Sequence, residues 1–430
     1  MKIALIGNIN NNNFAMMRYF RDLGVDAHLI LYKNDGKHQL DHFAPTNDTW
    51  NYGKWASYIH ESPLANSYSY AFSEPWIWAL NLQQSIYSLI KAKSALYVCS
   101  NHRIKSYLSE YGILIGSGIS PAICRKIGRS LDIFYPYAIG VEHFATKALL
   151  AYRQTANPLS RFVIDRSINV QADGVKSCRL VLNAEVTCTE RVLKEIGVNP
   201  LRMAIPMVYN REELPTTTGD REVDDVIAEL SYHHPSFLAP SRLFWRKPSG
   251  YNEEAWVYEN KRNDIFFKGF SAAIRLNKEA ENSLIIATEY GPDVEETKKL
   301  CAALGIQENV RWISIQSRKI LSAILPHVDA VVGEFYDAED MIWGGVGWEA
   351  LAAGKPLIHG HRFGEGEFEK IYGHPPPNIM AANTEQEVTH QIQSIISSPE
   401  KASTAGIQNK KWFDDYNGIG LASRWLQLIT

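Results

Sequence analysis

Cysteine is scarce and scattered in this chain. Five stand in 430 residues, at Cys99, Cys124, Cys178, Cys188 and Cys301, and none forms a CxxC pair. The odd count and wide spacing argue against a disulfide framework or a cysteine zinc site, and predict a reducing, cytoplasmic setting. Long apolar runs are also missing. Nothing approaches the ~18 apolar residues of a membrane-spanning helix. The opening MKIALIGNIN turns polar too early to be read as a signal peptide. Charge of one sign is lacking too: 44 Lys and Arg against 47 Asp and Glu leave a formal net charge of -3. A broad nucleic-acid face needs a basic excess to meet phosphates, so no nucleic-acid partner is expected. No GxSxG, HExxH or Walker A sequence occurs, which leaves hydrolase, zincin and P-loop readings without support. The close histidines, His233 with His234 and His359 with His361, lack a Cys or carboxylate at ligand spacing. Neither a metal nor a bound cofactor is therefore expected.

What is present is enough for two cores. Hydrophobic residues make up 45% of a chain too long for one ordinary domain. Eleven Trp and 21 Tyr supply core volume and also flat faces on which sugars and bases stack. The run KIALIG reads as a buried parallel strand ending in Gly, FAMMRYFRDLG as a helix and VDAHLILY as a second strand, one βαβ unit. Residues 36–75 carry no clean period and are expected as a long irregular insertion. Residues 210–235 are polar, charged and punctuated by Pro and Gly, and are expected as a connection between domains. Beyond it, strand signals in SFLAPSRLFW, SLIIATEY, NVRWISI, DAVVGEF and KPLIHG alternate with helical segments. That alternation predicts an α/β architecture with parallel sheets covered on both faces. The expected layout is an N-terminal domain over 1–209, the connection, a C-terminal domain over 236–410, and helices over 411–430 packing back on the first domain. In doubly wound sheets ligands lie at the carboxyl ends of the strands, and with two such domains the natural site is the cleft between them.

The stretch DMIWGGVGWEALAAGKPLIHG, residues 340–360, sets one carboxylate on an apolar helix behind three glycines. Gly344, Gly345 and Gly347 at a helix start would offer free N–H groups and a positive dipole end to an anion. Glu349, expected near the first turn, suits a vicinal diol such as ribose, which a carboxylate binds through two hydroxyls. The alternative is that the glycines only allow tight packing and Glu349 is a favourable first-turn acid. Arg242, after one strand, and Lys261, before the next helix, point to the same sheet edge. There they either neutralise a diphosphate or belong to an exposed basic patch. In GNINNNNF, Gly7 and Asn10 either contact sugar or phosphate or line an ordinary polar loop. His102 and His143 stand in the first half, either assisting proton transfer from an acceptor or as structural histidines.

The order of SR…W, KRND, TEYGPDVEETKKLCAALGIQENVRWISI, LPHVDAVVGEF and GGVGWEALAAGKPLI across 236–360 resembles the donor domain of GT-B glycosyltransferases, most of all the retaining family 4 (group 1) bacterial polysaccharide enzymes. The first half resembles their acceptor domain through GNINNNNF, ILIGSGISP and YPYAIGVE, and KKWFDDYNGIGLA near the end is similar as well. The likeness covers most of the chain and is weak over 36–90. It implies the GT-B fold, two Rossmann-like doubly wound domains. It also implies retaining transfer from a UDP- or GDP-linked sugar to a hydroxyl of a glycan or lipid-linked acceptor, without a metal, in cell-surface polysaccharide or glycoconjugate synthesis. By that resemblance Arg242 and Lys261 hold the donor diphosphate and Glu349 the ribose. Gly344, Gly345 and Val346 meet a phosphate or the donor sugar, and Trp312 and Ile313 lie along the base, largely through backbone. The family's E-x7-E pattern has another Glu eight positions before Glu349, where this chain has Met341. Glu334, Glu339 or Asp340 substitutes, or the donor sugar is held differently. That departure keeps open a catalytically inactive sugar-binding or scaffold subunit, and a nucleotide-sugar 2-epimerase-like enzyme. A lipid-linked acceptor would bring peripheral contact with the inner face of a membrane, although no strongly basic amphipathic helix argues for it.

Overall fold

The computed structural model describes residues 1–33, 44–65, 101–136, 158–184, 188–338 and 342–430. His143, Glu339, Asp340 and Met341 lie outside them, as do residues 36–43 and 66–75. The rest of the 36–75 stretch is not the irregular insertion expected, since it carries short helical turns and the strand Ile59–Ala65. The described residues form two compact units. One comprises Met1–Thr46, Asn51–Pro206 and Leu421–Thr430; the other comprises Asn47–Trp50 and Met207–Gly420.

The first unit is built on seven strands: β1 (Lys2–Ile6), β2 (Asp26–Lys33), β3 (Ile59–Ala65), β4 (Ile113–Gly116), β5 (Ile133–Phe134), β6 (Leu180–Asn183) and β7 (Leu201–Arg202). Their order is β3-β2-β1-β4-β5-β6-β7, every pair parallel. Ile3 stands opposite Ala27 on one side and Ile113 on the other. Such a strand is enclosed on both faces, which is why residues 3–6 are apolar in succession rather than alternating. Ala4, Ile6, Ile30, Leu114 and Phe134 are wholly buried in one core. Leu421–Thr430 belong to this unit: the Trp425 ring lies 5.4 Å from that of Tyr135, and Arg179 Nη1 donates to the Ile429 carbonyl at 3.2 Å.

The second unit carries six parallel strands: β8 (Ser236–Ala239), β9 (Leu284–Thr288), β10 (Val310–Ile313), β11 (Ala330–Val332), β12 (Leu357–His359) and β13 (Met380–Ala381). Their order is β10-β9-β8-β11-β12-β13. Phe237, Phe266 and Phe270 meet edge-on or tilted with centroids 5.9 to 6.2 Å apart in its core, the geometry that ring quadrupoles favour. Both sheets are α/β and doubly wound. In each, strand order reverses beside the first strand, between β1 and β4 and between β8 and β11. A crevice opens outside the carboxyl ends of the strands at such a reversal.

Residues 210–235 are not a bare connection. They lie in the second unit and include the helix Arg221–Leu230. Asp220 caps it by accepting the Val223 N–H at 3.3 Å, and Val223, Val226 and Leu230 form its buried stripe. The helix is short and half of its residues are charged, inside a stretch marked by Pro and Gly, so it reads as a connection in sequence.

Candidate active site

The helix Gly345–Ala353 is the centre of the second unit's site. Trp348 stacks on Trp412 at 6.0 Å, and Trp412 Nε1 donates to the Pro375 carbonyl at 2.7 Å. Gly354, at φ +70°, ends the helix in the left-handed conformation. Burial nearly all round explains an Ala/Leu composition with no polar face. The helix begins one residue after Gly344, so Glu349 is its fifth residue and sits in the second turn, not near the first as expected. It is therefore not a first-turn acid complementing the dipole.

At the reversal between β8 and β11, three loop residues converge. Lys261 Nζ lies 3.0 Å from Glu334 Oε1, with the two side chains only 15% and 9% exposed. The Tyr336 hydroxyl bridges them, accepting from Lys261 and donating to Glu334 Oε2. Backbone ties hold this arrangement: Lys261 N–H donates to the Phe244 carbonyl at 2.8 Å, and Phe335 N–H to the Lys261 carbonyl at 3.1 Å. Glu334 also borders the helix start, since a methyl at Gly344 would come within 2.4 Å of Glu334 Oε2. A methyl at Gly345 would meet nothing within 4 Å. The start of this helix thus has open space beside a buried lysine and a buried carboxylate. Lys261 is no member of an exposed basic patch.

Arg242, from the loop after β8, is more open. Its Nη2 is 3.7 Å from Glu259 Oε2, and its guanidinium lies 5.0 Å from the Phe244 ring centre. The Phe244 and Lys261 backbones are hydrogen-bonded, so Arg242 and Lys261 stand on adjoining loops. Val346 is the second residue of the helix. The side chains of Trp312 and Ile313 are committed to packing. Trp312 stacks on Phe267 at 6.5 Å, Ile313 is fully buried, and its carbonyl accepts from Glu289 N–H at 2.8 Å.

Glu349 does not stand alone. Its Oε1 accepts from Arg318 Nε at 2.9 Å, and Arg318 Nη1 donates to Asp48 Oδ1 at 3.3 Å and to the Met207 carbonyl at 3.0 Å. Burial pushes the Glu349 carboxyl above the usual range, more than the Arg318 charge pulls it down. A cavity of about 200 Å³ opens beside this group, bordered by Asp48, Arg318 and Glu349 on its polar side and by Leu325, Ala352 and Ala353 on its apolar side. His359, at the end of β12, is buried with Nδ1 against the Gly360 carbonyl at 2.7 Å, and its Nε2 has no partner. Burial lowers its pKa, so it is held neutral. Among the described residues no group of three His, Cys, Asp or Glu could hold a metal ion.

In the first unit, the loop after β1 is an amide network. Asn8 Nδ2 donates to Asn11 Oδ1 at 2.7 Å, Asn13 Nδ2 to the Gly7 carbonyl at 2.8 Å, and the Tyr135 hydroxyl to Asn13 Oδ1 at 2.7 Å. Asn10 and Asn11 take φ of 53° and 56°, which short amide side chains tolerate better than most. The asparagine run is thus largely spent on shaping its own turn, with Asn10 the half-exposed member. His102 is an exposed residue of the helix Asn101–Leu108.

Three contributors were not singled out from sequence. Arg318 opens the helix after β10, at the same carboxyl edge, and that position was its only available signal. Tyr336 follows β11 closely. Asp48 is 270 residues from Arg318 in the chain, and no local pattern links them.

No protein-family model matches the sequence, and no curated protein matches it. Solved structures do match in fold. Anabaena HepE, crystallised with UDP and glucose, aligns over 99% of this chain and 98% of its own with a TM-score of 0.57 and 12% identity. A glycosyltransferase from Rickettsia africae aligns over 100% and 97% with a TM-score of 0.53 and 13% identity. Sucrose-phosphate synthase from Thermosynechococcus elongatus aligns over 100% and 98% with a TM-score of 0.52 and 12% identity. The likeness is one of fold, and this chain has the GT-B fold of two Rossmann-like parallel-sheet units.

Proposed function

We propose that the protein is a retaining glycosyltransferase that moves a sugar from a UDP-linked donor to a hydroxyl of a glycan or lipid-linked acceptor. The observation that carries this reading is the carboxyl edge between β8 and β11, where Lys261, Glu334 and the open helix start at Gly344–Gly345 come together. HepE, of the same fold, has been crystallised with UDP and with UDP-glucose, which favours uridine as the base. In this reading Arg242, Lys261 and the helix N-terminus take the donor diphosphate. Lys261 has three N–H groups, of which Glu334 and Tyr336 occupy two, leaving the third for a phosphate oxygen. Glu334, in place of the acid lacking at Met341, keeps lone pairs free to accept hydroxyls of the donor sugar.

The chemistry follows from charge. The anomeric C–O bond breaks and negative charge develops on the β-phosphate. Lys261, Arg242 and the helix dipole stabilise it as it forms. The acceptor oxygen bonds to the anomeric carbon from the face the phosphate leaves, and its proton passes to the departing phosphate. These cationic groups supply the charge that a divalent ion brings elsewhere, so we propose that turnover is metal-independent. No described helix is long and apolar enough to cross a membrane, so a lipid-linked acceptor would be met at a membrane surface.

The test is a thermal-shift series with UDP, GDP, ADP, CMP and TDP, with and without EDTA, followed by donor hydrolysis. UDP at 100 times its dissociation constant should stabilise the fold by about 2.7 kcal/mol, and Lys261→Ala should abolish turnover. No stabilisation by any nucleotide would overturn the proposal in favour of a non-catalytic scaffold.

A further inference from the structure

We propose that Arg318 is the positioning residue for the ribose-binding carboxylate of Glu349, and that Asp48 in turn fixes Arg318. The inference rests on the reading of Glu349 as a ribose ligand.

The geometry is that of a clamp. Arg318 is the first residue of the helix Arg318–Ile324, and its side chain is 11% exposed. Its Nε reaches Glu349 Oε1 at 2.9 Å while Nη1 reaches Asp48 Oδ1 at 3.3 Å and the Met207 carbonyl at 3.0 Å. Glu349 and Asp48 are 12% and 3% exposed. One planar guanidinium therefore meets three acceptors at fixed angles, which a flexible ammonium cannot reproduce. With Oε1 held by Arg318, Oε2 is the oxygen left to accept ribose hydroxyls.

Asp48 comes from Asn47–Trp50, a stretch of the N-terminal half that belongs to the second unit. That stretch is fastened independently of Asp48. Trp50 N–H donates to Glu212 Oε1 at 2.8 Å, Thr49 Oγ1 bonds the same oxygen, and Lys319 Nζ lies 5.2 Å from the Trp50 ring centre. Asp48 is thus delivered to Arg318 by a seated segment. The remaining charges bordering this group are Glu212, Lys319 and Lys410. Arg318 and Asp48 oppose each other in their effect on Glu349: the guanidinium favours the ionised carboxyl and Asp48 disfavours it. Without Arg318, burial and Asp48 both act to protonate Glu349, and a protonated acid accepts hydroxyls poorly.

The experiment is calorimetric titration of the full chain with UDP from pH 5.5 to 8.5. Titration of the UDP phosphate is common to all variants and cancels in each ratio to wild type. For Arg318→Met that ratio should fall as pH drops, by up to about tenfold per pH unit below the Glu349 pKa. Glu349→Gln should bind weakly with a ratio that does not change with pH. Arg318→Lys should show the same trend more mildly, and it decides the matter if Arg318→Met does not fold. Asp48→Asn, which loosens Arg318 but also removes the charge that disfavours the ionised carboxyl, should bind more weakly without that fall at low pH. Wild-type affinity with an unchanged pH profile in the folded Arg318 and Asp48 variants would overturn the proposal alone. A wild type that binds no nucleoside diphosphate would overturn the functional reading and this proposal with it.

Discussion

Gly344→Ala and Gly345→Ala differ by one position and should behave oppositely in stability. Gly344 has φ −67° and ψ −169°, extended backbone that alanine adopts without strain. The obstacle is the methyl itself, which would lie 2.4 Å from Glu334 Oε2, 3.3 Å from its carboxyl carbon and 3.4 Å from the Tyr336 hydroxyl. Ordinary contact begins near 3.4 Å, so the carboxylate must retreat by 3.4 − 2.4 = 1.0 Å. It is held at 3.0 Å by Lys261 and bonded by Tyr336, so retreat strains a buried charge-assisted pair. Crowding of this kind costs about 1–3 kcal/mol. For a unit of this size that lowers the melting temperature by roughly 2–12 °C. At Gly345 the added methyl meets nothing within 4 Å, and replacing a helical glycine gains up to about 1 kcal/mol. Both methyls stand where the donor phosphates are proposed to bind, so both variants should bind UDP more weakly. Scanning calorimetry reads the first effect and titration with UDP the second. Equal melting temperatures for the two variants would refute the crowding argument. Undiminished UDP affinity in Gly345→Ala would refute the placement of the phosphates at this helix start.

Trp412→Ala should cost about 3–5 kcal/mol in denaturant unfolding of the second unit, as expected for a buried aromatic, because Trp348, Trp343 and the Pro375 carbonyl all lose their partner; a loss under about 1 kcal/mol would contradict it. His28 and His60, 2.8 Å apart in the first unit, both have pKa values lowered chiefly by burial. A depressed folded pKa means the neutral form is favoured, so their stabilising contribution is present above about pH 6.5 and is lost as pH falls below it. The double variant His28→Gln/His60→Gln should flatten the stability profile between pH 5 and 7, and an unchanged slope would count against the assignment. Cys124 and Cys301 are buried with thiols pushed up to about 12, so iodoacetamide at pH 8 should label them only on unfolding; rapid labelling of the native chain, mapped by mass spectrometry, would disprove this.

The fold was legible because its strongest signal is local. SLIIAT and AVV are apolar enough to be strands enclosed on both faces, and Gly305 ends the helix Val294–Leu304 between them. Arg242 and Lys261 could be singled out as candidates from their places after a strand and before a helix, and Glu349 as the one carboxylate of an Ala/Leu helix. What escaped was the partner of each charge. The contact of Lys261 with Glu334 spans 73 residues, and that of Arg318 with Asp48 spans 270. Sequence periodicity reports which face a residue occupies, not which residue of another loop it will meet. The helix Arg221–Leu230 escaped for a different reason: it is only ten residues long, half of them charged, inside a stretch punctuated by Pro and Gly.

The lone carboxylate on an Ala/Leu helix can be weighed energetically. Placing Glu349 and Arg318 at about one-tenth exposure costs each several kcal/mol of hydration, which their mutual attraction repays only with good geometry and further hydrogen bonds. Packing alone would be served as well by a Leu and a Met at these positions, since such replacements are often neutral or stabilising. The same holds for Lys261, Glu334 and Tyr336 across the helix start. Two buried ionic groups therefore border one helix, each costly and each at the carboxyl edge of the sheet or beside it. Stability gives no account of that arrangement, whereas a ligand that presents a diphosphate to one and a diol to the other does. A specific trade follows: Glu349→Leu with Arg318→Met should fold with stability equal to or above wild type while binding UDP at least tenfold more weakly, the factor that about 1.4 kcal/mol of lost ribose contact represents. Comparative unfolding and titration of that pair decide it, and a double variant that is both much less stable and undiminished in UDP binding would show the buried pair to be structural.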